Sequence, residues 1–363
     1  MTAEWVFVGV YTVFGAILFI NVLYLRRVRR QLVPLPDDPP SVTIVVPARN
    51  EAANLARLLP SLFAQTYPRF DVVVYDDGST DGTARVLRGC SDSRLQVLSG
   101  GVLPAGWVGK VHALYQATRA AAGDVLLFLD ADTSLKDPEA LSRLVRRHLA
   151  LPPDSALTGI AHIRGGGHVL VSLVPFVIFT YLPLPLVARS RSARLSAMNG
   201  QCWMIDRALY RRLEPHRAHR AEVLEDVRIG RYLKAHGVIP HSLDLQNEVE
   251  VWMYRDLVGA WVGFRKNVYP FIGESVASFF LVHLTYVAAY LLAPLASLWF
   301  ILAWYVLKTV SDRLVRMPFT VTAAAPLTLV LGALLQIDSA VAHWTGRATW
   351  KGRPVSRQAV ERV

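Results

Sequence analysis

Cysteine is scarce in this sequence, with Cys90 and Cys202 the two examples in 363 residues. They form no Cys-x-x-Cys pair, so neither a disulfide framework nor a zinc site is indicated. The low count fits a reducing compartment. Charged residues are also few, at 18% of the chain, against roughly 25% in an average soluble domain. Because the deficit is concentrated in apolar runs, it indicates membrane-embedded segments rather than an enlarged core.

Acidic residues are outnumbered by basic ones, 28 against 39, which gives a formal net charge of +11. Such a balance fits three kinds of partner: nucleic acid, anionic lipid or a phosphorylated substrate. The sequence has no zinc-finger spacing and no basic heptad region. Nucleic acid is therefore the least favoured of the three, and no nucleic-acid partner is expected.

An apolar run from Trp5 to Leu25 has the length of about 20 residues that spans a bilayer. Four arginines follow it: Arg26, Arg27, Arg29 and Arg30. A cleaved secretory signal carries its positive charges before the apolar run, so this order predicts a retained anchor. Arginines beside a span favour the cytoplasmic side, so the next part of the chain is expected in the cytoplasm. A buried core helix fits the length and the flank less well.

Two further apolar blocks lie near the C-terminus, at 276–307 and 319–337. The first is too long for one upright helix and short for two, and Pro294 allows a kinked helix or a tight re-entrant hairpin. The basic tail is expected inside, which requires an even number of crossings. Two crossings would place Lys308, Arg313 and Arg316 outside, so the number stays open. We expect an anchor at 1–30, a cytoplasmic domain at 41–270, a transmembrane region at 271–340 and a basic tail at 341–363, hence a multi-pass cell-membrane protein.

A fourth apolar stretch, residues 168–188, contains three prolines and is followed by Arg189, Arg191 and Arg194. Prolines disfavour a regular spanning helix. Two alternatives remain: a segment lying at the membrane interface, or a buried helix and loop inside the soluble domain.

Strands and helices alternate between the anchor and this stretch. The patterns predict strands at 42–46, 72–75, 95–98 and 125–129, and helices at 51–65, 80–88 and 111–122. This order implies an α/β fold with a parallel sheet. Ligands of such sheets bind beyond the carboxyl ends of the strands. The polar residues collect at those ends, in the segments 47–51, 76–82 and 130–132.

Asp130 and Asp132 are two residues apart at the end of the fourth predicted strand. Two carboxylates on one side of the chain can hold a hard cation such as Mg²⁺ or Mn²⁺, with phosphate oxygens completing its shell. Such an ion would neutralise a departing diphosphate. The alternative is a helix N-cap by Asp132 or Thr133.

Asp76 and Asp77 follow the second predicted strand, where a carboxylate can accept hydrogen bonds from a base or a ribose. The run after them is also a turn composition, with Ser79 or Thr80 as the expected helix cap.

Glu225 and Asp226 begin a helical stretch. Acids there are either partners of the helix dipole or, for one of them, a general base for an acceptor hydroxyl.

Together these segments resemble the family 2 glycosyltransferases. The resemblance covers roughly residues 41–270 and rests on VVPARNE (45–51), YDDGSTDGT (75–83), GWVGK (106–110), DVLLFLDADT (124–133), NGQCWMIDRALY (199–210) and EDVRIGRYLKAHG (225–237). It implies a GT-A fold, a Rossmann-like nucleotide-sugar-binding domain with transmembrane helices at both ends, and inversion at the anomeric carbon. It implies a nucleotide-sugar site, a metal at Asp130 and Asp132, and a catalytic base with its neighbour. The residues that would line the nucleotide-sugar site are Ala48, Arg49, Glu51, Asp76, Asp77, Lys110 and Asp130; the base would be Asp226, beside Glu225.

The chain is most similar in pattern to membrane-bound, non-processive members such as carotenoid and hopanoid-associated glycosyltransferases. The segments that carry this likeness are GWVGK, MYRDL (253–257), GFRKNVY (263–269) and TWKGR (349–353). The Gln-x-x-Arg-Trp signature of processive synthases is absent, and Leu213-Glu214-Pro215-His216 stands where many relatives have Gly-Gly-His. Arg255, Arg265 and Lys266 are expected on a helix beside the membrane, either near the diphosphate or lipid headgroups or on a solvated face.

The leading hypothesis is transfer of a hexose from UDP-glucose to a membrane lipid, a carotenoid or a related terpenoid. One alternative is transfer to polyprenyl phosphate, which needs no base. The other is a membrane scaffold that keeps the fold without catalysis.

Overall fold

The computed structural model describes residues 3–29, 31–273, 275–350 and 353–354. Arg30 and most of the predicted basic tail lie outside the described residues. Contacts divide the described chain into two units. The sheet unit contains residues 27–164, apart from Arg30, and 186–252; the helical unit contains residues up to 26, 165–185 and the described residues from 253 onward.

Twelve strands are present among the described residues. In chain order they are β1 Val42–Ala48, β2 Phe70–Asp76, β3 Leu95–Ser99, β4 Val125–Leu129, β5 Thr133–Leu135, β6 Ser155–Ile160, β7 His162–Gly165, β8 Cys202–Asp206, β9 Ile239–Asp244, β10 Val249–Tyr254, β11 Thr349–Trp350 and β12 Arg353–Pro354.

The helices are α1 Ala3–Val28, α2 Ala52–Phe63, α3 Thr83–Arg88, α4 Gly109–Ala120, α5 Ala140–Leu149, α6 His168–Val171, α7 Leu173–Tyr181, α8 Leu184–Arg189, α9 Arg207–Leu213, α10 Pro215–Ala218, α11 Glu225–Ala235, α12 Leu257–Arg265, α13 Val268–Ile272, α14 Val276–Val287, α15 Ala293–Ala296, α16 Leu298–Leu314, α17 Phe319–Ala323 and α18 Ala325–Trp344. A π-helical segment, Ala288–Leu292, joins α14 to α15.

A seven-stranded sheet forms the centre of the sheet unit, in the order β3-β2-β1-β4-β8-β6-β9. The four predicted strands are parallel neighbours, as expected. The sheet as a whole is mixed, however, because β8 runs antiparallel to both β4 and β6. The parallel arrangement predicted for the first four strands is confirmed, and the antiparallel β8 lies beyond them. A second sheet of three strands has the order β5-β10-β7.

The core of the sheet unit is built on the apolar residues of the central strands. Phe128 of β4 stacks on Trp203 of β8 with ring centroids 4.0 Å apart. Leu114 of α4 and Leu233 of α11 are buried in the same cluster. The Phe128 and Trp203 rings are almost wholly removed from water. Burial of such apolar surface is the main source of stability for this layer. The packing fixes the ends of β4 and β8 relative to the start of α11.

The turn after β2 is longer than expected. Helix α3 begins at Thr83, not at residue 80, and its N-cap position is Gly82. Asp81 accepts a hydrogen bond from the Thr83 amide at 2.9 Å. Ser79 instead donates to Asp76 at 2.6 Å. The predicted cap by Ser79 or Thr80 was therefore wrong, because these residues serve the turn rather than the helix.

Among the described residues, three helices are long and apolar enough to cross a membrane. They are Glu4–Val28, Val276–Ala296 and Ala325–Trp344. The predicted N- and C-terminal apolar helices are thus present. The block at 276–307 is divided at Ser297, whose backbone is extended (φ −159°, ψ 141°). Two successive helices take the place of one kinked helix.

Residues 168–181 form two short apolar helices, α6 and α7, within the helical unit. Asn21 of α1, itself fully buried, donates to the carbonyls of Phe179 and Leu182 and accepts from the Leu184 amide at 2.7 Å. The stretch therefore packs with the anchor helix, and the alternative that placed it inside the soluble domain was wrong. The contact-based division falls at 165–185 and at 253, and the domain bounds of 41–270 stay a prediction.

Lys308 is neither at the surface nor unpaired. It is fully buried in the helical unit, where its ammonium contacts Asp312 and donates to the Ser172 hydroxyl at 3.0 Å. Thr322 donates to the other oxygen of Asp312 at 2.8 Å. Lys308 and Asp312 therefore bind to each other and to the hydroxyls of Ser172 and Thr322 rather than to solvent.

Candidate active site

The carboxyl ends of β1 and β2 lie side by side, with Ala48 opposite Asp76 in the register. The Asp77 amide donates to the Ala48 carbonyl at 2.8 Å. The guanidinium of Arg49 donates to the Asp77 carbonyl and lies 3.8 Å from its carboxylate. Asp77 is 4% exposed, so its charge is compensated mainly by this arginine.

The segments after β1 and β2 are held together by side-chain hydrogen bonds. Asn50 has a left-handed backbone (φ 53°) and its side chain accepts from the Thr80 amide at 2.8 Å. The Ser79 hydroxyl accepts from the Asn50 amide at 2.9 Å. Glu51 accepts from the Asn54 side chain at 2.6 Å. These bonds shape a rim in which backbone and carboxylate acceptors from two strand ends are adjacent.

Lys110, the second residue of α4, forms the electrostatic centre of the site. Its ammonium lies 2.8 Å from Asp130 and 3.0 Å from Glu225. Burial lowers the pKa of Lys110, but the two carboxylates outweigh this and hold its pKa well above the normal value. One cation therefore joins the end of β4 to the first turn of α11.

Asp226 follows Glu225 in the first turn of α11, and its carboxylate accepts from the Gly200 amide at 3.0 Å. Burial raises the pKa of Asp226 to about 6, and the neighbouring charge of Glu225 adds to the rise. A carboxylate with such a pKa is a better proton acceptor than an ordinary aspartate while still ionised near pH 7. This arrangement suits a general base.

Asp132 lies in the tight turn between β4 and β5. The Thr133 amide and hydroxyl both donate to the Asp130 carbonyl, at 3.0 and 2.7 Å. The Trp252 amide donates to the Asp132 carbonyl at 2.7 Å. A strand, β5, follows and the next helix begins at Ala140. The alternative of a helix cap by Asp132 or Thr133 was therefore wrong.

Comparison with known proteins agrees with this geometry. Residues 43–214 match the family model described as "Glycosyl transferase family 2". The match covers just under half of the chain, and these residues resemble the family 2 glycosyltransferases.

The curated relatives of this domain are carotenoid enzymes. Two proteins named 4,4'-diaponeurosporenoate glycosyltransferase, from Staphylococcus aureus strains bovine RF122 / ET3-1 and USA300, are 35% and 34% identical over 126 residues. That stretch is 35% of this chain and 33% of each relative. The chain thus spans about a third of the length of the curated relatives it matches. The predicted similarity to carotenoid-associated glycosyltransferases is confirmed.

A solved structure shows the fold. The mannosyltransferase PcManGT from Pyrobaculum calidifontis, determined in complex with GDP-Man and Mn²⁺, superimposes with a TM-score of 0.55 at 20% identity. The alignment covers 92% of this chain and 97% of that one. The predicted α/β fold of the GT-A type, with apolar helices at both ends, is confirmed.

The sheet unit brings together most of the residues named from the sequence. Arg49 meets Asp77, and Lys110 meets Asp130 and Glu225, with Asp226 adjacent. Ala48 contributes through its backbone rather than its side chain. Asp76 is tied to Ser79 through a turn, so its carboxylate acts in shaping the rim. Arg255, Arg265 and Lys266 belong to the helical unit, where Arg265 lies 3.9 Å from Asp338.

Sequence reasoning missed two features of the domain. Gly200 donates its amide to Asp226, and a Cβ there would lie 3.2 Å from the Asp226 Cβ. The Asn-Gly-Gln motif was a signal for this close approach. His216 is fully buried beside the stacked rings of Phe128 and Trp203, and its Nδ1 lies 2.8 Å from the Tyr210 hydroxyl. Burial lowers the pKa of His216 to about 3, so it is a neutral packing residue.

Proposed function

We propose that this chain is an inverting glycosyltransferase that moves a hexose from a nucleotide-sugar to a membrane lipid. The proposed donor is UDP-glucose and the proposed acceptor is a carotenoid or a related terpenoid. The protein would lie in the cell membrane with its glycosyltransferase domain on the cytoplasmic face. The observation that carries the proposal is the Lys110 cluster, in which Asp130 from the donor side and Glu225, the neighbour of Asp226, share one cation.

The donor would bind at the rim formed by β1, β2 and β4. The Ala48–Arg49 and Asp77 segment offers the backbone and carboxylate groups that recognise a base and a ribose. The diphosphate would lie toward Lys110, whose ammonium is already placed among carboxylates. When the donor binds, the Lys110 ammonium would turn from the Asp130 carboxylate to a phosphate oxygen. Carboxylate and phosphate oxygens are both anionic and accept hydrogen bonds from an ammonium in a similar geometry.

A divalent cation fits the residues at the end of β4. Asp130 already holds one cation, the Lys110 ammonium, and Asp132 follows in the same turn. Among the described residues no group of three or more His, Cys, Asp or Glu could hold a metal. Asp130 and Asp132 would therefore share the ion with diphosphate oxygens, as a hard cation accepts. When bound, the ion would stabilise the charge on the leaving diphosphate.

The chemistry assigned to the chain's own residues is a single displacement. Asp226 takes the proton of the acceptor hydroxyl, and the acceptor oxygen bonds to the anomeric carbon. The bond from that carbon to the diphosphate breaks, and the nucleotide leaves with its electron pair. Attack from the face opposite the leaving group inverts the anomeric centre. Gly200 would hold the base in position through its amide.

A lipid acceptor is supported by two observations. The chain has three helices long enough to span a membrane, among the described residues. The curated relatives are named for a carotenoid carboxylic acid, although they match over a third of their length. An enzyme fixed in the bilayer meets an acceptor that never leaves it at a high effective concentration.

The test is transfer by the full-length protein reconstituted with a terpenoid acid or alcohol and labelled UDP-glucose. We expect a glucosylated lipid with the opposite anomeric configuration to the donor, formed with Mn²⁺ or Mg²⁺ and lost with a chelator. GDP-mannose serves as the competing donor, and polyprenyl phosphate as the competing acceptor. Absence of any transfer with every donor and acceptor would favour a scaffold without catalysis.

A further inference from the structure

A short basic loop, defined here as residues 186–194 and including the last four residues of α8, leaves the helical unit directly after residue 185. It carries Arg189, Arg191 and Arg194, all exposed, and Leu186, which is 52% exposed. No acidic residue occurs between Asp154 and Asp206 in the sequence. None of the three arginines forms an ion pair with a described acidic residue. The loop is therefore a positive surface without internal compensation.

Both ends of the basic loop are fastened by one buried side chain. Lys234, near the end of α11, is 3% exposed, and its ammonium donates to the carbonyls of Val187, at 2.6 Å, and Leu195. Gly230, one turn earlier on α11, leaves room for Met198 and Ser196, which a Cβ would meet within 3.0 Å. A loop closed in this way is presented outward as a fixed feature, so binding would order little additional chain.

The chain before the loop lies at the level where the anchor helix ends. Asn21 binds Leu182 and Leu184, at the turn between α7 and α8. Arg26, the first arginine after the apolar run, is five residues later on the same helix, or about 7 Å along its axis. An arginine at the end of a spanning helix marks the headgroup region. The basic loop begins two residues beyond Leu184 in the chain, so it follows directly on this point of the helical unit.

We propose that the basic loop binds the headgroups of acidic phospholipids, with Leu186 seated among the acyl chains. Three exposed arginines on nine residues match the polybasic surfaces that anionic lipids attract, at about 1 kcal/mol, or fivefold in affinity, for each charge near the surface. Arginine also pairs with phosphate through two parallel hydrogen bonds. The inference is independent of the reaction, because it concerns the membrane and not the sugar acceptor.

The experiment measures amide hydrogen exchange of the loop in the full-length protein. The protein is placed in nanodiscs of phosphatidylcholine alone or with phosphatidylglycerol. We expect exchange in residues 187–195 to slow severalfold with phosphatidylglycerol, and the protection to disappear at high salt. The variant R189Q/R191Q/R194Q should lose the protection. The charge-matched variant R85Q/R88Q/R119Q, which alters three exposed arginines on α3 and α4, should retain it.

Several results would overturn the proposal. Equal exchange in both lipids would show that the arginines are a solvated surface. Equal loss in the two triple variants would show a general charge effect rather than a site. Protection by soluble glycerol phosphate in phosphatidylcholine discs would assign the loop to a free phosphate. The lipid and salt dependence of the unaltered protein tests the proposal even if the loop variant does not fold.

Discussion

The position of Asp226 sets two effects against each other. The first turn of a helix stabilises a carboxylate by typically 0.3–1 kcal/mol, and the Gly200 amide adds a hydrogen bond. Burial acts in the opposite direction and is stronger, so the pKa rises from 3.8 to about 6. A dipole partner alone would show the reverse shift. The balance therefore favours the general-base role over the purely structural one.

Replacing Asp226 with asparagine removes the base but keeps the size and one of the two hydrogen bonds from the Gly200 and Val227 amides. We expect kcat for a hydroxyl acceptor to fall by about 10²–10⁴-fold, the usual contribution of general base catalysis. Nucleotide affinity, measured by calorimetry, should change little. Asp154→Asn is the control, since Asp154 is exposed and has a left-handed backbone that asparagine tolerates. Full activity of Asp226→Asn would instead favour an acceptor that is already anionic and needs no base, such as a phosphate or a carboxylate.

The pH dependence of kcat follows from the same carboxylate. Because the base acts in its ionised form and its pKa is about 6, kcat should fall as the pH drops through about 6, with the uptake of one proton. Glu225 contributes to the raised pKa, so Glu225→Gln should move this limb to lower pH. Rates measured at saturating donor across the range would reveal both effects. A rate that is flat down to pH 4.5 would contradict the assignment.

At the scale of elements, α16 contains a buried ion pair, Lys308–Asp312, whose two members also form hydrogen bonds with Ser172 and Thr322 of neighbouring segments. Removing one partner leaves the other charge buried, which costs about 3–5 kcal/mol. We expect Asp312→Leu alone to destabilise the protein by that amount, and Lys308→Met with Asp312→Leu to destabilise it less. Urea unfolding in detergent micelles measures both. Arg313→Gln, at an exposed position of the same helix, should change stability by less than about 0.5 kcal/mol. Additive effects of the two core substitutions would contradict the pairing.

The elements also show what the sequence determines. The strands β1, β2 and β4 were predictable because each is a short β-branched or apolar run ending in polar residues, and their parallel order placed the site at one rim. The antiparallel strand β8 was not, because its direction depends on the stacking of Phe128 on Trp203. The start of α3 was missed because Ser79 and Asn50 bind across the rim, a long-range choice that local propensity does not encode.

The same limit applies to the site. The acids were found from their places after strands, but the contact of Lys110 with Glu225 joins residues 115 positions apart in the sequence. The hydrophobic periodicity of the sequence predicts helices and strands but does not predict a contact between residues so far apart in the chain. The role of Gly200 was equally hidden, since a glycine in a motif does not say which side chain approaches it. Asp226 was singled out mainly by family resemblance, and its raised pKa supplies an independent physical argument.

At the scale of the whole molecule, the two native cysteines can report the orientation of the sheet unit. Cys90 is partly exposed in that unit and Cys202 is buried. If the unit is cytoplasmic, a membrane-impermeant maleimide should label intact cells poorly and permeabilised cells at Cys90. Cys90→Ser should remove the signal. Strong labelling of intact cells would place the glycosyltransferase domain outside.

The central claim is that this chain adds a sugar to a membrane lipid by means of the Asp130 and Asp226 carboxylates. Mass spectrometry of total lipids tests it most directly, in cells with the unaltered protein, with Asp226→Asn, and without the protein. We expect one lipid species, heavier than its precursor by a single hexose, in the first cells alone. The precursor should accumulate in the other two. Identical lipid profiles in all three would contradict the account.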